Sequence, residues 1–381
     1  PHPLTLRAHP MAHLSRPTAP LALPPDVAAH LARFGLTLPA LLTGANPKML
    51  KGQALGHGAA VILHNMPAQA LAAAVTPTTA HRVAARAHLP ALAALAQAQG
   101  LTAAALAHNG CPWATGCAEC CLNWSGRGGL GDAVAGARGR RTLAMIADPV
   151  THARAVLWAV AYHYRRAQAL GLPLAVRLRG TDEGPRIGWH RLALPLTAAE
   201  AQALGRRFGL PVAAGDGPGH TLAQALAPTL TALGGDGSLA LFDYSKAPLG
   251  GPLGLESQRA AGWDITASMA ADRATAAADA MAALGAGFRL ALPVALRKGD
   301  PLPRTLTLGR PVGPLGEHEF ITVPCVNGDL SDHRYRDPHG VAVILRTKRS
   351  RGADPATAAP FSLAATGHPQ ALPDGVATLQ W

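Results

Sequence analysis

From residue 148 onward, apolar and polar positions fall into blocks that read in turn as helix and strand. Residues 148–171, DPVTHARAVLWAVAYHYRRAQALG, open with an Asp suited to capping a helix and a Pro at its first position. Val156, Leu157, Val160 and Tyr164 recur at helical spacing on one face, and Gly171 stops the run. The next stretch, LPLAVRLRGTDE, is a short apolar run that ends in Arg179, Thr181 and Asp182, which predicts a strand. Thr197 and Glu200 are spaced as a capping box ahead of AEAQALGRRFG, and Gly209 and Pro211 close that helix.

Further apolar runs at 238–246, 262–268, 288–296, 319–326 and 340–346 predict strands, with a helix between the second and third that Asp272 would cap. Short apolar strands alternating with helices imply a parallel sheet covered on both faces, either a (βα) barrel or an open doubly wound sheet. The fold class expected is α/β, a parallel-sheet (βα) barrel-like core with an Ala-rich helical insertion at 67–107 and an irregular N-terminal arm over 1–40. Residues 41–350 then read as a single domain, and 351–381 as a C-terminal tail.

Composition tempers the Ala-rich segments more than the others. The chain has 381 residues with 41 Gly and 33 Pro, so small-residue runs carry less information than usual. Lys and Arg number 34 against 22 Asp and Glu, a net charge of +12 that suits a polyanionic partner such as a nucleotide or nucleic acid. No run reaches the ~18 apolar residues of a membrane span, so no membrane partner is expected. The opening PHPLTLRAHPMAHLSRPTAP lacks the charged-then-apolar layout of a secretory signal, so a cytoplasmic location is the expectation.

Four of the five cysteines fall within eleven positions, in CPWATGCAECCLNWSGRGG at 111–129. In a reducing compartment such a cluster reads as metal or redox chemistry before it reads as disulfides. Cys111, Cys117, Cys120 and Cys121 are compact enough for one loop to wrap a zinc ion or an iron-sulfur cluster, with Cys325, a His or a cofactor as the further ligand. The spacing is neither that of a zinc ribbon nor the Cys-x3-Cys-x2-Cys loop of radical S-adenosylmethionine enzymes. Buried free thiols are the structural alternative.

The ordered segments LLTGANPKMLKG (41–52), the cysteine loop, ARGRRT (137–142), AVRLRGTDE (175–183), FDYSK (242–246) and VNGDLSDHRYRDPHGVAVILRTK (326–348) together resemble the phage "gene product 88" family. The resemblance implies a phage or prophage setting and brings no established reaction. It carries the family's Cys-Pro, second Cys and Cys-Leu onto Cys111, Cys117 and Cys121, and leaves Cys120 as an addition. Arg179 stands where the family pattern has Asn, and one residue of that loop is missing.

Polar residues at the carboxyl ends of the expected strands are the candidates for chemistry, because sites assemble there in βα architectures. Asp182, Asp243, Lys246 and Ser268 form the acid-base set, able to move protons or hold substrate charge. Arg297 with Lys298 and Asn327 with Asp329 occupy equivalent positions, while Asp329 and Asp332 in NGDLSDHRYRDPHG also suit plain turn formation. Arg127, Arg138, Arg140 and Arg141, in and after a glycine-rich stretch, are the phosphate or nucleic-acid contacts. The function expected is a metal- or cluster-bearing protein acting on a nucleotide or nucleic acid. The alternative is a non-enzymatic nucleic-acid-binding or phage-assembly protein with a structural zinc site or free thiols.

Overall fold

The computed structural model describes residues 22–44, 47–65, 88–106, 110–113, 132–214, 219–230, 239–297, 299–313, 317–347, 362–365 and 367–381. They divide into two compact units whose chain segments interleave. The first takes residues up to Cys111, Asp132–Phe242 and Ala261–Trp263; the second takes Pro112–Gly131, Asp243–Ala260 and Asp264–Trp381.

The first unit is built round a helix that starts where its capping pattern places it. Asp148 accepts a hydrogen bond from the Thr151 amide at 2.9 Å, and the helix runs Pro149–Gln168. Its apolar stripe continues nearly all the way round, with even His152 and His163 buried, because helices pack on several sides of it. These are α1 (Pro25–Arg33), α2 (Leu38–Leu41), the helix Asp132–Ala147, and Ala198–Phe208 with its Thr197–Glu200 capping box and left-handed Gly209. With α3 (Pro47–Ala54), α4 (His88–Ala98) and α5 (Ala103–Leu106) before them, the helices at 132–147, 149–168 and 198–208 are α6, α7 and α8.

Three buried parallel strands complete this unit. β1 (Ala59–Ile62) pairs with β2 (Leu174–Arg177) from Ala59 opposite Leu174 to Ile62 opposite Arg177. β2 pairs in turn with the run that begins at Leu239. A small antiparallel pair, β3 (Ala193–Leu194) and β4 (His220–Thr221), stands apart from them, and α9 (Leu222–Leu226) follows. β1 is not among the strands expected from sequence. Five apolar residues between Gly58 and His64 are hard to tell from the Ala-rich background.

β5 (Leu239–Ser245) enters the second unit at Asp243. After α10 (Leu255–Ala260), that unit carries β6 (Asp264–Ser268), α11 (Ala276–Gly285) and β7 (Arg289–Val294). β6 pairs parallel with β7, β7 with β10 (Ala342–Arg346), and β10 with β9 (His318–Asn327). Beyond β9 the direction reverses: β8 (Thr305–Pro311), β12 (Gly375–Gln380) and β11 (Gln370–Leu372) are antiparallel. Leu306, Leu308, Ala377 and Leu379 are buried along β8 and β12, where α11 packs against both strands.

The architecture is therefore mixed α/β with mostly parallel strands and an antiparallel portion. A closed (βα) barrel does not follow from these pairings. Among the described residues β2 is the one strand laddered to β1, and the parallel run stops where β9 meets β8. The expected tail at 351–381 includes the β11–β12 hairpin, whose pairing with β8 gives its backbone groups partners. Asp272 is not the cap of α11. Thr275 holds that position, its hydroxyl donating to Asp279 and capping no amide, and Asp374 in the hairpin turn accepts from the Ala277 and Ala278 amides at 2.8 and 2.9 Å. No helix of the described residues is long and apolar enough to cross a membrane.

Candidate functional site

At the carboxyl ends of β1 and β2 the first unit gathers polar side chains that are far apart in sequence. The ladder carries the chain past both strands: Leu63 N donates to Arg177 O, and Gly180 N donates to Leu63 O. This places His64 and Asn65 beside the loop Arg179–Glu183. Gly180 is required here, since a Cβ on it would stand 2.4 Å from His64 Nδ1 and 2.7 Å from the Leu63 carbonyl. Asn65, fully buried, donates from Nδ2 to Asp182 Oδ2 at 3.2 Å, and its backbone carbonyl accepts from the Thr181 hydroxyl.

The start of the cysteine loop is pinned to the same place. Glu183 N donates to Gly110 O at 2.6 Å, and the Cys111 thiol donates to Thr181 O at 3.8 Å. Two motifs read separately in sequence, the first cysteine and the RGTDE loop, are thus joined by hydrogen bonds. Cys117, Cys120, Cys121 and Arg127 lie outside the described residues.

α6 supplies the cations. Arg138 and Arg141, one helical turn apart, are both buried. Arg141 donates to His64 O at 3.0 Å and to Ala40 O at 2.7 Å, bracing the end of β1 against α2. Burial, helped by Arg138 and Arg140, brings Arg141 down to about 10, which leaves it charged at neutral pH. Arg140 turns elsewhere, with its stem beside Gly35. Arg177 completes the group from the end of β2. Burial first, then Arg138, Arg177 and Arg141, push the His64 imidazole down to about 3, so it is neutral in the free protein. Within the cluster, His64 Nδ1, Asn65 Oδ1 and Arg141 Nε are buried without a hydrogen-bond partner among the described residues. Such orphaned polar atoms are uncommon in native interiors unless water or a ligand serves them.

His64, Asn65 and Arg177 are not among the candidates read from sequence. The signal that could have found them is the one used elsewhere: polar residues directly after the apolar run AAVIL at 59–63.

The other candidates belong to the second unit. Asp243 is buried within β5 and accepts from the Tyr244 amide at 3.1 Å. Lys246 follows the strand, and its carbonyl accepts from Arg273 at 2.6 Å; Ser268 ends β6. Cys325 lies in β9, where burial pushes its thiol up to about 12, so it is a protonated thiol in the metal-free chain. Asp329 closes a turn and an ion pair: its amide donates to Asn327 Oδ1, and its carboxylate meets the Arg346 guanidinium at 3.2 Å. Asp332 is buried in the loop leading to Arg334, and Arg297 donates its amide to Asp300; Lys298 lies outside the described residues. Among the described residues no group of three or more His, Cys, Asp or Glu is placed to hold a metal ion.

Comparison with family models, with curated proteins and with solved structures returned no match for this chain.

Proposed function

We propose that the chain is an α/β enzyme that acts on a nucleotide or a related phosphate-bearing ligand at the carboxyl ends of β1 and β2, in the phage or prophage setting that the motif resemblance implies. The observation that carries this reading is the pinning of Gly110 and Cys111 to the loop that holds Asp182 against Asn65. In it, Arg138, Arg141 and Arg177 supply positive charge for a phosphate, and Asp182, held by the Asn65 amide, is the group that handles a proton. Cys111, whose thiol donates to Thr181 O, would be one thiolate ligand of a metal or an iron-sulfur cluster. When bound, such a centre would supply Lewis-acid or redox chemistry.

The test has two parts. A panel of nucleoside mono-, di- and triphosphates should raise the melting temperature of the full chain, by an amount equivalent to about 3 kcal/mol at a hundred times Kd. Arg138→Gln should abolish that rise, and Asp182→Asn should keep it. If no nucleotide stabilises the wild type, the reading falls. Elemental analysis of protein purified without oxygen, wild type against Cys111→Ser, decides the metal: iron or zinc lost in the variant supports it, and equal content in both sinks it.

A further inference from the structure

Arg141 on α6 donates to the His64 carbonyl at 3.0 Å, Arg138 lies one turn earlier on the same helix, and Arg177 ends β2 opposite Ile62, two residues before His64. All three guanidinium groups disfavour the charged imidazole. The carboxylates of the adjoining loop are engaged: Asp182 accepts from Asn65, and Glu183 meets Arg179 at 3.5 Å. α3, which packs on β1, brings Lys48 and Lys51 and no acidic residue, and from α7 comes His152, itself neutral. His64 and Arg177 keep partial exposure, so solvent ions reach the cluster.

We infer that this cluster is a site for a doubly charged tetrahedral oxyanion, sulfate- or phosphate-like, and that its binding is coupled to protonation of His64. The inference rests on the proposed function and names the charged part of its ligand. Like charges disfavour the imidazolium while the site is empty. An oxyanion among the arginines offsets that repulsion and gives the orphaned Nδ1 an acceptor once it is protonated. The same coupling makes the anion bind more tightly when His64 is charged, because linkage between two bound species is reciprocal. The proton comes from solvent and returns to it on release.

The probe is sulfate, whose charge stays constant between pH 5.5 and 8, titrated calorimetrically into the full chain in buffers of different ionisation enthalpy. Sulfate affinity should fall by up to about tenfold per pH unit as pH rises towards the bound-state pKa of His64, where each sulfate takes up nearly one proton, and should level off above it. His64→Gln, or His64→Asn should the first not fold, should bind sulfate with no pH dependence, and Arg138→Gln should lose binding. Wild-type affinity that is flat with pH, or no sulfate binding at all, would overturn the coupling, as would pH dependence that survives in the folded His64 variant. Sulfate binding with proton uptake that nucleotides fail to displace would leave this inference standing and remove the nucleotide reading.

Discussion

Single positions decide the geometry at the ends of β1 and β2. Gly180 lets the imidazole of His64 lie against the backbone, so Gly180→Ala must displace either His64 or the Leu63 carbonyl that accepts from residue 180. Crowding of this kind costs about 1–3 kcal/mol. The expected outcome is a lower melting temperature together with weakened sulfate binding; an unchanged value for both would mean the loop has room to move. The arginines of ARGRRT show how far residue type carries. Their chemistry as phosphate contacts is plain from sequence, but burial separates them. Arg141 spends two donors on carbonyls, so Arg141→Ala should destabilise the fold as well as the site, and it cannot serve as a pure binding variant.

Whole elements were legible wherever their signals are local. The helix begun by Asp148 and Pro149, the Thr197–Glu200 capping box and the left-handed Gly209 appear where the sequence places them, since each is a bond within a few residues. α11 is the counterexample. Its amides are served by Asp374, nearly a hundred residues away, and only strand pairing brings that turn to the helix. Asp374→Ala should cost about 1 kcal/mol, within the range for a lost cap, read as a downward shift of the denaturation midpoint. A larger shift for Asp374→Ala than for Asp272→Ala would distinguish the observed cap from the expected one. β1 stayed hidden because its four residues have no flanking Pro or turn pair to set them off from small-residue sequence.

For the molecule as a whole, pH ties the buried histidines to stability. Burial above all takes His64 and His152 down to about 3 and His163 to about 4, against 6.5 for an exposed imidazole; nearby arginines lower all three further, and His30 adds to the effect on His152. In the unfolded chain these groups bind protons near pH 6.5, while the folded ones do not until far lower pH, so the unfolded state binds more protons in between. Stability therefore falls as pH drops from about 6.5 towards 4, by on the order of 1 kcal/mol per pH unit for each histidine. Denaturant melts at pH 7, 5.5 and 4.5 should show this slope. His152→Gln, at a fully buried position that meets His30 at 3.4 Å, should flatten it; a profile no flatter than wild type would assign the acid sensitivity to other groups.

What the sequence determined by itself is whatever depends on neighbours along the chain: the alternation of helix and strand, the caps, the run of polar residues after strands, and the clustering of Cys111 with its loop. Tertiary structure alone decided which strand ends share a site. The parallel pairing of β1 with β2 brings His64 and Asn65 to Asp182, whereas Asp243, Lys246 and Ser268 fall in the other unit. It also decided that Arg138 and Arg141 are buried while a neighbouring imidazole is neutral. Burial and charge proximity arise from contacts such as Arg141 to His64 and Asn65 to Asp182, 77 and 117 residues apart, and no local spacing encodes them.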